Sequence, residues 1–279
     1  MSKKIVTIAF LSTALLLLGL ASPAQQRIDE KRPASPDGFV TVSNLAGSVV
    51  VKGWDKAEVA VTGTLGKGTE RLEFEASGDR TTIKVVLPKN AHNVDGSDLE
   101  IRVPAGSRLD VNTVSADITA SELTGPLALQ TVSGEVSATG PAREVDAQSV
   151  SGNIKVDTGA AKINAQTVSG TVTAKSASSP QDVALESVSG DLRFEGGLAQ
   201  GGSFTASTVS GSIKAALPSG LAADFSLGTF SGNLETAFGD KRTASPEDHA
   251  GKHLTFTTGS GGARVKVKTF SGNVSLTKR

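Results

Sequence analysis

The sequence predicts an all-β solenoid, a single-stranded β-helix with coils of 18–21 residues. A short phrase, Thr/Ser-Val/Phe-Ser-Gly, recurs along the chain, each time followed by one residue and then an aliphatic residue that begins a strand pattern. Its second hydroxyl residue, taken here as the anchor, falls at Ser115, Ser133, Ser151, Ser169, Ser189, Ser210, Ser231 and Ser271, where the first copy has Ala for Gly. Successive anchors are therefore 18, 18, 18, 20, 21, 21 and 40 residues apart. Self-similarity at a short, nearly constant period is typical of solenoids, in which each coil stacks on the previous one.

Alternation within each copy predicts two strands per coil. Around Ser151, for example, Val145 and Ala147 stand six and four places before the anchor and Ile154 three places after it, with mostly polar residues between. A period of two is typical of a strand with one buried face. An 18-residue coil is too short for two strands and a helix, so we expect neighbouring coils to stack directly, about 4.8 Å apart.

The two strands of a coil follow different registers, so the chain must turn a corner between them. Val or Phe stands one place before the anchor in every copy from Val114 to Phe270. This position shares the parity of the second strand, and we expect it to face the interior, with the corner at the preceding Thr or Ser. An alternative is that the Ser-Gly pair itself is the bend, because glycine tolerates unusual backbone angles.

The first placement turns two hydroxyl residues of each copy outward and predicts a surface ladder of Thr-x-Ser pairs. Such hydroxyls can satisfy backbone groups at the corner or form hydrogen bonds along the stack. A minor alternative function for the ladder is binding an ice or glycan lattice. The ladder residues are Thr113, Ser115, Thr131, Ser133, Ser149, Ser151, Thr167, Ser169, Ser187, Ser189, Thr208, Ser210, Thr229, Ser231, Thr269 and Ser271.

Residues 1–24 have the pattern of a secretory signal peptide. Lys3 and Lys4 precede an apolar run over residues 5–20, and small residues close the stretch at Ser22-Pro23-Ala24. The alternative, a single membrane anchor, would need a longer run. We therefore expect an exported protein, periplasmic or at the cell surface or secreted, without a transmembrane segment in the mature chain.

The remaining chain divides into a leader, a cap and the regular solenoid. Residues 25–38 are polar and predict a mobile leader. Residues 39–111 predict an irregular N-terminal β cap or wider coils, including a degenerate copy with Ala46 at the anchor. Residues 112–279 predict the regular solenoid. In the cap we expect strands at 49–52, 58–62, 71–75, 82–87, 99–103 and 108–111.

Two loops interrupt this pattern. We expect mobile loops at residues 91–97 and 238–252, the second being an exposed excursion rich in charge, Gly and Pro. After it, residues 253–258 and 264–268 flank Gly259–Gly262 and predict a hairpin.

Composition argues against several classes of function. The chain has 28 basic and 28 acidic residues and no cysteine, and this balance argues against nucleic acid as a partner. His92 falls in an expected loop, and His249 and His253 lie in a Gly-rich β context where their i, i+4 spacing does not define one helical face, so we predict no metal site, no cofactor and no Ser-His-Asp site. Outer charges alternate in sign as on a solvated face. Aromatic residues that could support a sugar are scarce, and Trp54 is expected to pack in the cap.

Three features together resemble one bacterial family. They are the run Pro36-Asp-Gly-Phe-Val-Thr-Val-Ser-Asn-Leu-Ala-Gly-Ser-Val, the Val103-Pro-Ala-Gly106 turn and the reiterated Thr-Val-Ser-Gly-x-Ile-x-Val. They are similar to the β-strand-repeat "putative adhesin" domain of unknown function, found in exported and envelope proteins. The resemblance covers essentially the whole mature chain and brings no catalytic residue. It implies a non-catalytic, envelope-associated binding or scaffold protein whose partner is an envelope polysaccharide or protein. The alternative is a carbohydrate-active β-helix enzyme.

Overall fold

The computed structural model describes residues 26–90, 93–239, 245–246 and 251–279. Every regular element in these ranges is a strand. The strands are β1 Gln26–Pro33, β2 Phe39–Trp54, β3 Glu58–Leu65, β4 Arg71–Ser77, β5 Arg80–Val86, β6 Ser97–Pro104, β7 Arg108–Ser121, β8 Pro126–Thr131, β9 Val136–Gly140, β10 Glu144–Ser151, β11 Ile154–Thr158, β12 Lys162–Ser169, β13 Val172–Ser176, β14 Asp182–Ser189, β15 Leu192–Glu195, β16 Ser203–Ser210, β17 Ile213–Leu217, β18 Ala223–Ser231, β19 Leu234–Thr236, β20 Ser245–Pro246, β21 Lys252–Thr258, β22 Ala263–Ser271 and β23 Val274–Lys278.

Each coil gives one strand to each of two parallel sheets, which confirms the predicted all-β solenoid. The first sheet stacks β2, β7, β8, β10, β12, β14, β16, β22 and β18 in that order. The second stacks β2, β7, β9, β11, β13, β15, β17, β23 and β19. The long strands β2 and β7 contribute to both sheets. Equivalent positions of neighbouring copies lie in register, as the period predicts.

The interior is filled by the aliphatic positions that the alternation predicts. In the coil around Ser151, Val145, Ala147 and Val156 are fully buried and Ile154 is 1% exposed. The same positions are buried in the neighbouring coils, and one contiguous core follows the axis of the solenoid. Burial of this kind contributes about 0.8 kcal/mol per CH₂ group.

The corner lies at the Ser-Gly pair, so the preferred placement was wrong and the alternative is confirmed. Strand β10 continues to its anchor Ser151, with Ser149 buried and Val150 exposed. The glycine that follows sits directly over its counterpart in the previous coil. A Cβ atom on Gly152 would lie 2.0 Å from the carbonyl oxygen of Gly134. From Gly134 onward the bend therefore needs glycine because the coils approach each other too closely for a side chain, whereas Ala116 occupies this position within the unbroken strand β7.

The buried hydroxyl residue two places before the anchor forms a hydrogen bond to the bend of the neighbouring coil. The Oγ1 atoms of Thr167, Thr208 and Thr269 donate to the carbonyl oxygens of Gly152, Gly190 and Gly211, at 3.2, 3.2 and 3.1 Å. Because buried polar groups need partners, these bonds explain how a hydroxyl can face the core. Where serine replaces threonine, at Ser149 and Ser187, the buried Oγ has no partner among the described residues.

The N-terminal cap closes both sheets with irregular strands. In the second sheet, β6 pairs in parallel with β2, β3 pairs antiparallel with β6, and β1 pairs antiparallel with β3. In the first sheet, β5 pairs with β2 and forms a hairpin with β4. All the strands expected in the cap are present. Trp54 ends β2 outside the core cluster, is partly buried, and donates from Nε1 to the carbonyl of Glu58.

Residues 26–33 form strand β1, so the mobile leader expected over residues 25–38 is wrong for this stretch. Ile28 is 5% exposed and packs into the core, while the other side chains of β1 lie outside the core.

The final coil is inserted between two coils that precede it in the chain. Strand β22 lies between β16 and β18, and β23 lies between β17 and β19. Strand β21 pairs antiparallel with the outer edge of β18, so the expected hairpin between residues 253–258 and 264–268 is wrong. Phe225 holds this end together by stacking on Phe238 at 5.3 Å and on Phe256 at 4.6 Å. Most of the excursion expected at 238–252 lies outside the described residues.

Candidate binding surface

An unbroken row of exposed apolar side chains runs along the solenoid, one from each coil of the first sheet. We call it the apolar row. It occupies the position directly before the anchor, and its exposure increases from 36% at Leu45 to 57% at Phe270. Nine coils at about 4.8 Å make it roughly 38 Å long. Its members, in stacking order, are Leu45, Val114, Val132, Val150, Val168, Val188, Val209, Phe270 and Phe230.

A groove of about 550 Å³ follows the apolar row over five coils, from β7 to β14. The apolar row forms one wall, and the buried hydroxyl residues, such as Thr131 and Thr167, form the floor. The other wall, which we call the amide row, lies three places before the anchor. It consists of Asn112, Gln130, Gln148, Gln166 and Glu186.

The amide row is held in place by hydrogen bonds to the next outward position of the sheet. Asp146 Oδ1 accepts from Gln148 Nε2 at 3.1 Å and from Asn164 Nδ2 at 3.0 Å. Gln166 Nε2 donates to Asn164 Oδ1 at 3.2 Å. A carboxamide has two N–H donors and an oxygen that accepts twice, so these glutamines keep capacity for a ligand. The groove therefore combines an aliphatic wall with a hydrogen-bonding wall of four carboxamides that ends in the carboxylate of Glu186.

Just after the bend, Asp and Asn side chains form hydrogen bonds to the backbone of the next coil. Asp117 Oδ1 accepts from the backbone N–H of Glu135 at 2.8 Å, and Asn153 Oδ1 accepts from that of Thr171 at 2.9 Å. Asp191 makes the same bond to Ser212 at 3.0 Å. Each bond joins one coil to the next. These Asp and Asn side chains are exposed, but their oxygens are occupied in holding the bends of neighbouring coils together.

One ion pair beside the groove joins neighbouring coils along the stack. Lys162 Nζ donates to Glu144 Oε1 at 2.8 Å, between neighbouring coils. This hydrogen bond and the charge of Glu144 raise the pKa of Lys162 above its usual value. Exposed pairs of this kind contribute little to stability. The carboxylates of Asp110, Asp146 and Glu186 on the same side have no described cation within 4 Å, so this wall of the groove is acidic.

Two exposed phenylalanines end the apolar row. The rings of Phe230 and Phe270 lie parallel, at 3° between planes and 4.8 Å between centroids, and are 53% and 57% exposed. The sequence interpretation placed both inside, because it set the corner two residues too early. Their copies of the phrase, Thr-Phe-Ser-Gly in place of Thr-Val-Ser-Gly, were the available signal for them.

Comparison with known proteins identifies the family. The family described as Toastrack DUF4097 matches residues 47–277. This chain belongs to the Toastrack DUF4097 family. No curated protein matches it.

Solved structures resemble this Toastrack protein in fold. A "putative adhesin" from Bacteroides fragilis is 12% identical, with 91% of this chain and 98% of that chain covered and a TM-score of 0.54. A "putative adhesin" from Parabacteroides distasonis is 13% identical over 91% and 98%, with a TM-score of 0.44. A "putative lipid binding protein" from the same species is 13% identical over 90% and 96%, with a TM-score of 0.36. At this identity the first likeness concerns the fold alone, and the other two are too distant to support an argument.

The two positions of the predicted hydroxyl ladder of this Toastrack protein differ in exposure. The anchor serines are exposed, as expected. The outward orientation of the other half is wrong, because the strand does not bend until it has passed them. A two-rank hydroxyl lattice is therefore not present. The buried residues, at 3–8% exposure, are Thr113, Thr131, Ser149, Thr167, Ser187, Thr208, Thr229 and Thr269.

The remaining candidate residues do not converge on a site. His92 and His249 lie outside the described residues, and His253 is exposed on β21. In the ranges that the structure covers, no group of three or more His, Cys, Asp or Glu could hold a metal ion. Within the same ranges, no helix has the length and apolar character needed to cross a membrane. In the expected loop at 91–97, Ser97 is buried, and its Oγ accepts from the backbone N–H of Gly66.

Proposed function

We propose that this Toastrack protein is a non-catalytic binding protein of the bacterial envelope that holds an extended ligand along the apolar row. The observation that carries the proposal is the continuity of that row. Single exposed apolar residues are common on protein surfaces, but contiguous apolar patches mark binding sites. Covering one half-exposed Val would contribute about 1 kcal/mol. A ligand that covers several coils therefore gains enough to bind.

The shape of the surface favours an extended ligand over a globular one. The apolar row is one side chain wide, and with the amide row and the anchor serines it is roughly 10 Å across. Over about 38 Å this gives a footprint of roughly 400 Å², whereas a stable protein–protein interface takes about 800 Å² from each partner. A linear molecule that lies along the axis would use the whole footprint.

The carboxylates near the groove support a non-catalytic role. Glycoside hydrolysis needs two carboxyl groups facing one bond. Asp146 is occupied by two amide donors. Asp117 and Glu135 lie on adjacent coils, but outside the groove, where Asp117 caps a backbone N–H and Glu135 accepts from Asn153. These three acids therefore have structural partners. Glu186 is the only carboxylate among the described residues that line the groove, so it lacks the second carboxyl group there that the carbohydrate-active enzyme would need.

The envelope location rests on the sequence. The signal-peptide pattern over residues 1–24 predicts export, and this stretch lies outside the described residues. An exported rod with a continuous binding row suits a scaffold that presents or holds an envelope polymer or an extended envelope protein segment.

Co-sedimentation of purified protein with murein, outer-membrane and whole-cell fractions tests the proposal. We expect saturable binding to one fraction, weakened at least tenfold by the triple variant Val132→Thr, Val150→Thr, Val168→Thr, which keeps side-chain shape but removes apolar surface. The matched control changes Ser137, Lys155 and Thr173 to Ala, which point outward from the second sheet of neighbouring coils. Binding to no fraction, or equal binding by the triple variant, would contradict the proposal.

A further inference from the structure

We infer that the C-terminal end of the apolar row is a site for the acidic groups of a linear polysaccharide, that is, a glycan bearing carboxylates. The inference deepens the proposed function and rests on it, because the site continues the same row. It assigns the chemistry of the ligand, which the row alone does not.

At this end, a notch interrupts the row of side chains that lies three places before the anchor. Most other coils carry a polar side chain there, such as Gln166, Glu186 or Lys268, but strand β18 has Gly228. A Cβ atom on Gly228 would lie 3.4 Å from His253 Nδ1, 3.9 Å from the carbonyl oxygen of Lys252 and 4.0 Å from Lys268 Cγ. The missing side chain therefore leaves a gap between a histidine ring and a lysine chain, with glycine as its floor.

The pairing of the strands explains how these groups come together. Gly228 pairs with Lys268 on the inserted strand β22 and with His253 on the antiparallel strand β21. Two residues along, the same two coils present Phe230 and Phe270. One small surface thus contains an apolar aromatic pair and, directly beside it, a notch between two nitrogen-bearing side chains.

Among the described residues, the outward side chains around the notch are positively charged, unlike those of the groove. Lys266 and Lys268 both point outward from β22, and no described carboxylate lies within 4 Å of either lysine or of His253. The nearby acid, Asp224, pairs in register with Arg264 and accepts from Thr257 Oγ1 at 2.7 Å. An anionic group in the notch would therefore meet the ammonium group of Lys268, and charge-assisted hydrogen bonds of this kind are shorter and stronger than neutral ones.

The combination matches an acidic glycan more closely than an acidic protein. Aromatic and aliphatic side chains pack against the C–H surfaces of sugar rings, amides bond to their hydroxyls, and lysines bind their carboxylates. The narrow row suits a linear chain, with its acidic units at the Phe230–Phe270 end and its neutral face along the amide row.

Binding of polygalacturonate and of its methyl-esterified form, which has the same backbone without charge, tests the inference. We expect polygalacturonate to bind at least tenfold more tightly at low salt, with the difference shrinking as salt screens exposed charges. Titration calorimetry at several salt concentrations measures both effects.

Two variants locate the site. Gly228→Ala fills the notch at an ordinary contact distance, and we expect it and Lys268→Ala each to weaken acidic binding about fivefold, the size of one good exposed ion pair. The matched controls are Gly220→Ala, where a Cβ meets nothing within 4 Å, and Lys214→Ala on the second sheet. Circular dichroism checks that each variant is folded.

The outcomes separate this inference from the proposed function. Equal binding of the two polymers, or acidic binding that neither Gly228→Ala nor Lys268→Ala weakens, would overturn the inference alone. Absence of glycan binding, with row-dependent sedimentation retained, would overturn it in favour of a protein partner. Absence of both glycan binding and row-dependent sedimentation would overturn the proposed function as well.

Discussion

At the scale of single residues, the bend glycine controls how closely the coils stack. We predict that Gly152→Ala destabilises the protein by about 1–3 kcal/mol, because its Cβ would overlap the carbonyl oxygen of Gly134 and force the coils apart. Gly159→Ala is the matched control, since a Cβ there meets nothing within 4 Å. Urea unfolding of the two variants measures the difference. Equal midpoints would show that the coils can separate without cost.

The buried serines two places before the anchor are sites for stabilisation. We predict that Ser149→Thr raises the free energy of unfolding by about 0.5–1 kcal/mol, because a β-branched side chain is held in the rotamer from which it can donate to the glycine carbonyl below. Ser151→Thr, at the exposed anchor, should change it by less than about 0.5 kcal/mol. Thermal unfolding of both compares them, and a destabilised Ser149→Thr would show that the methyl group does not fit.

The sequence predicts the buried aliphatic positions of both strands well but misplaces two residues in each coil, the hydroxyl residue two places before the anchor and the apolar residue directly before it. Val145, Ala147 and Ile154 follow a strict period of two, which the core enforces. The error concerns Ser149 and its equivalents, which continue that period inward although they are polar. Their polarity favours an outward side chain in a sequence-based prediction. The structure shows that the equivalent threonines can face inward because they donate to a glycine carbonyl at the bend. The glycine after each anchor was the better signal for the corner.

At the scale of elements, the inserted final coil holds the C-terminal end together. We predict that truncation after Gly262 removes β22 and β23 and exposes both β18–β19 and β16–β17. Backbone amides of residues 223–239 should then exchange with solvent much faster, whereas those of residues 126–176 should keep their protection. Hydrogen exchange with mass spectrometry measures this. A control truncation after Leu276 should leave residues 223–231 protected, and retained protection in the long truncation would contradict the insertion.

Element order explains why the ends were harder to predict than the middle. Consecutive strands usually pair, which favoured a hairpin at Gly259–Gly262. Instead β22 carries its own copy of the repeat and stacks on the coil whose positions it matches. Strand β1 was missed because Gln26–Pro33 has one buried apolar residue, Ile28, and pairs with β3 through its backbone.

At the scale of the whole molecule, the apolar row is a surface that stability does not require. We predict that the triple Val→Thr variant at positions 132, 150 and 168 unfolds within about 1 kcal/mol of the wild type, because each side chain is about half exposed. Binding and stability would then be separable, as expected for a functional surface. Urea unfolding tests this, and a large loss of stability would show instead that the row packs within the fold.

The solenoid and its period could be predicted from the sequence, but the binding surface could not. The row depends on the side to which one residue per coil points, and a bend shifted by two positions reverses that side along the whole rod. The notch at Gly228 depends on the inserted coil, which brings together Lys268 and His253 from strands that a linear order of coils would separate.

Thiol labelling at two adjacent positions tests the central claim most directly. The chain has no cysteine, so Val150→Cys and Ser149→Cys each carry a single probe. We predict that the folded protein reacts rapidly with a maleimide at position 150 and not at position 149, and that the envelope fraction that it sediments with slows labelling at position 150 at least tenfold. Lys155→Cys, on the second sheet, should label equally with and without that fraction. A buried thiol at position 150, or one that saturating ligand leaves equally reactive, would contradict the account.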